Sequence, residues 1–365
     1  MLFYLYILRV YIILHTTPIF KALQAKNQRL IMEQRALANR EDLGFDVPVC
    51  KNGYRWWYVD GFSDCGQHGV TLIFFIGTVF SPFYAAARKQ SETDPREFVC
   101  VNAVFYEPKR KYWAMTERRM RDLQTSPNSL RIGPSSMTFD GRYLQVKIDE
   151  RSAPMRRPIR GTVRVDLQER TDQCFGLHSA GQHRWWPIAP ATKIDVSLEV
   201  PNVNWSGGAY VDSNGGTTPL EETFSDWHWS RAGLGANCRI VYEAHARDGE
   251  NCLLTLFGNA EDGMALEHSA PRRDLVAGPV WRVRRPARSH QGFSVQKTLE
   301  DTPFYTRSHL HDASGNSVMH ESLDLDRFSS FWVQRLLPFR MRKIIYGLPK
   351  AGDSRVTIPF SKGLK

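Results

Sequence analysis

The chain has few cysteines, and none lie close together. Cys50, Cys65, Cys100, Cys174, Cys238 and Cys252 form no CxxC pair and share no metal-ligand spacing with histidine, which argues against a structural zinc. Reduced, mostly buried thiols in a cytoplasmic protein are expected. No glycine-rich phosphate loop is present. The net charge of +10 comes with no nucleic-acid-binding motif. Its basic residues are scattered, with patches such as Lys109-Arg110-Lys111 and residues 340–343 that suit an anionic membrane surface at least as well. A long apolar run is also missing. The opening MLFYLYILRVYIIL is interrupted by Arg9 and is shorter than the roughly 20 residues that span a bilayer. It lacks the basic start and small-residue cleavage site of a signal peptide. It reads as an interfacial anchor or as sequence upstream of the true start. Met32, which opens a polar segment, is the expected functional start.

What the chain has in quantity is apolar and aromatic side chains, 42% and 12% of 365 residues, enough for large packed cores. Alternating or continuously apolar segments bounded by turn residues predict strands at 53–64, 70–88, 98–106, 112–116, 142–149 and 160–167. Further strands are expected at 196–205, 238–247, 252–258, 280–285, 292–300, 304–311 and 318–325. A short helix is predicted at 116–124 and another at 326–343, with Asp326 as its N-cap and Pro338 as its stop. Phe328, Phe331, Trp332, Leu336 and Leu337 of the second helix suit either a core or a lipid surface.

The stretch from Gly181 to Arg231 concentrates chemistry. It holds five of the ten tryptophans, Trp185, Trp186, Trp205, Trp227 and Trp229, interleaved with His183, Tyr210, Asp212 and His228. Aromatic walls with a few titratable groups suit an apolar ligand and proton transfer. On a strand, the i, i+2 spacing puts His183 with Trp185, and Tyr210 with Asp212, on one face. Tyr58-Val59-Asp60, after Trp56 and Trp57, echoes Tyr210-Val211-Asp212, so two similarly built β units are expected.

Several segments together resemble the carotenoid 1,2-hydratases (hydroxyneurosporene synthases). These are GYRWWYVDGFSD, VFSPFYAAAR, KYWAMTER, GQHRWWPIAP, AYVDSNGGTTPLE, WHWSRA, LEDTPFYTRS and HESLDLDRF followed by LLPFRMRK. They run in order from about Phe45 to Lys343. The resemblance implies an all-β chain of two lipocalin-like β-barrel domains in tandem with a short C-terminal helix. The expected divisions are an extension at 1–45, barrels at 46–195 and 196–345, and a tail at 346–365. It also implies water addition to the C1–C2 double bond of an acyclic carotenoid such as neurosporene or lycopene, without metal or organic cofactor.

Under that resemblance Asp212 is the expected proton donor, with Tyr210 beside it, Trp185 stabilising the cation and His183 activating water. His228 is the rival base and Asp60 the rival acid. Trp205, Trp227, Trp229, Trp56, Trp57 and Tyr58 are expected to contact substrate with them. A carotenoid and water are the expected partners, with no nucleic acid. Peripheral contact is expected on the cytoplasmic side of the inner or intracytoplasmic membrane, and other carotenoid-pathway enzymes are candidate neighbours. A lipocalin-like carrier of polyenes is the competing expectation, because it would use the same walls without an acid.

Overall fold

A computed structural model of the chain describes residues 42–344. The apolar opening, Met32 and the tail from 346 lie outside the described residues. The chain is mostly β. Its first part supplies β1 (Tyr54–Ser63), β2 (Gly69–Ile76), β3 (Val99–Tyr106), β4 (Lys111–Arg118), β5 (Leu123–Ser126) and β6 (Ser129–Ile132). It continues with β7 (Ser135–Phe139), β8 (Tyr143–Arg151), β9 (Pro158–Asp166), β10 (Phe175–Gly176), β11 (His183–Val200) and β12 (Val203–Gly216). Its second part supplies β13 (Phe224–Leu234), β14 (Asn237–Ala246), β15 (Cys252–Asn259), β16 (Gly263–Leu266), β17 (Arg272–Leu275) and β18 (Arg285–Arg288). It ends with β19 (Ser294–Asp301), β20 (Tyr305–His311), β21 (Ser317–Asp324) and β22 (Arg342–Lys343).

The first sheet runs β22-β4-β3-β2-β1-β12-β11-β9-β8-β7-β6-β5, with β10 beside β11. The second runs β16-β15-β14-β13-β21-β20-β19, and β17 and β18 form a separate hairpin. The first sheet curls, so its late strands cover one face of its early ones. This explains why GVTLIFFI in β2 is buried at every position: Leu72 and Phe74 enter the core inside the curl, while Ile73 and Phe75 enter a second core facing the other sheet. A strand buried on both faces reads as a continuous apolar run. β1 and β12 pair antiparallel in the same middle layer, with Tyr58 opposite Asp212, Val59 opposite Val211 and Asp60 opposite Tyr210.

Most expected strands are present, but the structure departs from the local signals at four places. Residues 196–205 are a hairpin, because Pro201 and Asn202 turn the chain between β11 and β12. The expected domain division at 195/196 falls inside β11, and the chain passes to the second sheet at the short helix Leu220–Thr223. The run after β2 is not strand throughout. Ser81 accepts hydrogen bonds from the backbone of Phe83 and Tyr84 and, with Pro82 behind it, starts a helix at Pro82–Arg88. Residues 116–124 hold the end of β4, a single 3-10 turn and the start of β5, since Thr116 and Glu117 are already paired to β3. Residues 280–284 are turn and irregular backbone, and strand begins only at Arg285 in β18.

The C-terminal helix is broken into Leu325–Ser329 and Phe331–Leu336 at Ser330, and Asp324 rather than Asp326 caps the first piece. Phe328 and Leu337 are buried, whereas Phe331, Trp332 and Leu336 are exposed. Among the described residues no helix is long and apolar enough to cross a membrane. All six cysteines are free, Cys100 and Cys238 buried and Cys50 and Cys65 exposed.

Candidate active site

A cavity of about 380 Å³ lies between the outer face of the first sheet and the second sheet. Its inner end is walled by Trp56, Tyr58, Asp212 and Asn214 from the first sheet and by Trp227, Trp229, Tyr242, Arg307 and Glu321 from the second. Its outer end is formed by Phe80, Trp281, Phe304, Leu336, Leu337, Arg340 and Met341. The period of two explains the membership: Trp227 and Trp229 point inward from β13, and His228 between them points to the opposite face.

Asp212 is the focus of the inner end. Its Oδ2 accepts hydrogen bonds from the Tyr210 hydroxyl at 2.8 Å and from Trp185 Nε1 at 3.0 Å. Its Oδ1 is buried with no partner in the protein. Burial disfavours the charged form strongly enough to push the carboxyl up to about 8, although both hydrogen bonds favour the carboxylate. The charges of Glu321 and Asp60 add to the rise. Two donors therefore occupy one oxygen, and at neutral pH the proton sits on the other. Trp229 Nε1 and the Tyr305 hydroxyl, in the same wall, also find no partner in the protein.

His183 stands behind the wall rather than in it. Its Nδ1 meets the Tyr54 hydroxyl at 3.0 Å, and its Nε2 meets Thr223 Oγ1 at 2.8 Å and Thr218 Oγ1 at 3.2 Å. Burial lowers the ring to about 4, which keeps it neutral. Gly216 permits this packing: a Cβ there would lie 2.4 Å from the Tyr54 ring and 2.8 Å from His183 Nδ1. Trp185 is likewise outside the cavity but reaches Asp212 from the side.

Asp60 is fully buried, and Arg231 occupies it, with Nε at 2.7 Å and a second contact from Nη2 to the same oxygen. Burial raises this carboxyl, and the guanidinium opposes the rise. It does not line the cavity. Trp57 sits in the core of the first sheet, its indole donating to the Leu43 carbonyl at 2.9 Å, and Trp205 packs against that same core. The structure thus gathers Asp212, Tyr210 and Trp185 into one hydrogen-bonded group. It places Trp56, Tyr58, Trp227 and Trp229 around the cavity, and leaves His183, His228, Asp60, Trp57 and Trp205 off it.

His228 belongs to a polar group on the outer face of β13 and β14. Its Nε2 meets Asp226 Oδ1 at 2.8 Å and its Nδ1 meets Ser322 Oγ at 2.9 Å, while His245 Nδ1 meets the same Asp226 oxygen at 2.6 Å. Asp226, His228 and His245 offer ligand atoms within 4.8 Å of one another, as do His178, Asp248 and Glu250, and neither group lines the cavity. Sequence reasoning missed Arg307, Glu321, Asn214 and Tyr242. Alternation along 304–311 and 318–325 indicates one face of each strand, yet says nothing about which cavity that face meets.

An aromatic cavity with a proton-bearing carboxyl group in its wall belongs to an enzyme that handles an apolar ligand by proton transfer. The chain belongs to the carotenoid hydratase family: the family model described as carotenoid hydratase CrtC matches residues 72–345. It is 41% identical over 305 residues to the acyclic carotenoid 1,2-hydratase of Thiocapsa roseopersicina, covering 82% of this chain and 75% of that protein. It is 40% identical over 306 residues to the protein of that name from Rubrivivax gelatinosus, covering 81% and 75%. With the one from Cereibacter sphaeroides it shares 33% over 276 residues, 74% of this chain and 97% of the relative. The solved structure of kievitone hydratase from Nectria haematococca aligns at a TM-score of 0.49 and 11% identity, over 78% of this chain and 93% of that one.

Proposed function

We propose that the protein adds water across the C1–C2 double bond of acyclic carotenoids such as neurosporene and lycopene, giving 1-hydroxy carotenoids. The observation that carries this reading is Asp212, a carboxyl group held protonated by burial, whose unpartnered oxygen belongs to the wall of an aromatic cavity. Protonation of an unactivated alkene needs a strong acid in a dry site, and an aspartate at its ordinary value would be ionised at neutral pH. Transfer of the Asp212 proton to C2 leaves a tertiary cation at C1. The faces of Tyr58, Trp227 and Trp229 stabilise that cation, each by on the order of 0.5–2 kcal/mol. Water then forms the C1–O bond.

In this reading Tyr210 and Trp185 orient Asp212 by holding Oδ2. His183 acts as a positioning group, bracing Tyr54 and the end of β12, because its ring nitrogens are both engaged. His228 and Asp60 serve structure, the latter through Arg231. At about 380 Å³ the cavity is near the lower end of ligand sites, about 300–1,000 Å³, so it receives one end of the polyene rather than the whole molecule.

The remainder of the substrate must then leave through the outer end. There Phe331 and Phe339 are 73% and 86% exposed beside Trp332, Leu336 and Arg335. We assign this rim to peripheral contact with an anionic bilayer, on the cytoplasmic side of the inner or intracytoplasmic membrane. The same reading treats the two sheets as two lipocalin-like barrels in tandem, divided near Leu220. The curl of the first sheet around its own core supports this.

The test is incubation with lycopene or neurosporene in detergent and heavy-oxygen water. A product heavier by one labelled water is expected. Tight binding with no change of mass would make the protein a carrier and overturn the proposal.

A further inference from the structure

The cavity holds a second carboxyl group in a different electrostatic setting. Glu321 faces it from β21, next to Trp229 on β13, and sits across from Asp212. Its Oε1 accepts from the Tyr58 hydroxyl at 2.8 Å and from Arg307 Nε at 2.8 Å. Arg307 is itself anchored, donating to the Tyr106 hydroxyl at 2.9 Å. The Glu321 side chain keeps 14% of its surface accessible and lines the cavity, while Arg307 beside it keeps 3%. Glu321 is ion-paired to a guanidinium, whereas Asp212 is held by Tyr210 and Trp185. Two carboxyl groups with different partners thus face one cavity, an arrangement that can divide acid from base.

Building on the hydration reading, we propose that Glu321 is the catalytic base, taking the proton from the water that attacks C1. As the oxygen lone pair forms the C1–O bond, the oxonium O–H breaks and its proton passes to the Glu321 carboxylate. Asp212 has meanwhile given its proton to C2, so one molecule of water has been added. The two carboxyl groups return to their starting states by proton exchange with solvent. A carboxylate suffices as the acceptor, because the protonated tertiary alcohol is a strong acid. Neither His183 nor His228 lines the cavity, whereas Glu321 does.

The experiment compares wild type with Glu321→Gln in deuterium oxide, measuring both alcohol formation and deuterium in the recovered polyene. With water capture impaired, the cation loses a proton from carbon back to Asp212 and the alkene returns labelled. Alcohol formation should fall by about 10²-fold or more while labelled substrate persists or rises. Wild-type hydration by Glu321→Gln, or exchange and hydration falling together, would overturn the assignment. Glu321→Gln leaves Arg307 without its counter-charge, so Glu321→Gln with Arg307→Gln is measured by the same readouts, and Glu321→Asp should recover part of the hydration. Absence of both alcohol and exchange in the wild type would instead sink the hydration reading itself.

Discussion

An Asp212→Asn substitution separates the cost of the buried acid from its use. Asparagine keeps an acceptor for Tyr210 and Trp185 and is neutral at every pH, so it copies the shape of the protonated acid without its proton. Burial pushes the wild-type group up to about 8 in the fold, from an ordinary value of 3.8. Below the unfolded value both states are protonated and Asp212 costs nothing. Between the two values the unfolded chain releases the proton and the folded one keeps it, so wild-type stability falls by up to about 1.4 kcal/mol per pH unit. At pH 7 the accumulated cost is on the order of 4 kcal/mol, an upper figure because the denatured chain retains structure.

Asp212→Asn removes that slope. The variant should therefore melt several degrees above wild type at pH 7, the gain shrinking toward pH 4 and levelling above pH 8. Its hydration activity should be lost, while polyene binding remains. Wild-type activity should hold at neutral pH and decline as pH rises through about 8, where the acid ionises. Thermal melts across pH 4–9 with product analysis give the answer. A stability gain that does not vary with pH, or residual hydration near the wild-type rate, would refute the reasoning.

Three other outcomes follow from the geometry. Asp60→Asn strands the buried Arg231 and should destabilise the protein by about 3–5 kcal/mol in denaturant unfolding, opposite in sign to the effect of Asp212→Asn. Gly216→Ala drives a methyl group into Tyr54 and His183; a loss of about 1–3 kcal/mol is expected, with activity reduced through the displaced end of β12. Phe331→Ser with Phe339→Ser should weaken flotation with anionic liposomes while leaving turnover of detergent-dispersed substrate unchanged, and equal flotation would remove the rim from membrane contact.

The parts of this site visible in the chain were those set by short spacing. Tyr210 and Asp212 share a face because strands alternate, and the hydrogen bond between them follows from that. The doubly buried β2 announced itself as an unbroken apolar run. Long-range pairing was hidden: β1 meets β12 across most of the first sheet's sequence, and nothing near His183 indicates that Tyr54, Thr218 and Thr223 surround it. Glu321 was legible only as one letter of HESLDLDRF, because its importance depends on Arg307, Tyr58 and Asp212, which three other strands bring to it. The helix at Pro82 was missed for a different reason: Ser81-Pro82 is a capping signal, and the apolar residues preceding it masked the change of period.

The repeated Tyr-Val-Asp is more than an echo once the strands pair. Val59 faces Val211, and each aspartate lies opposite the other segment's tyrosine, so the two tripeptides are related by a local twofold axis through the valines. Within the first sheet alone, Asp60 and Asp212 are near-equivalents. The symmetry is broken from outside, by β13 delivering Arg231 to one of them. One carboxyl is thus neutralised by a guanidinium and its twin by a proton. In the proposed reaction, it is therefore the second sheet that decides which of the two aspartates is left to act as the acid.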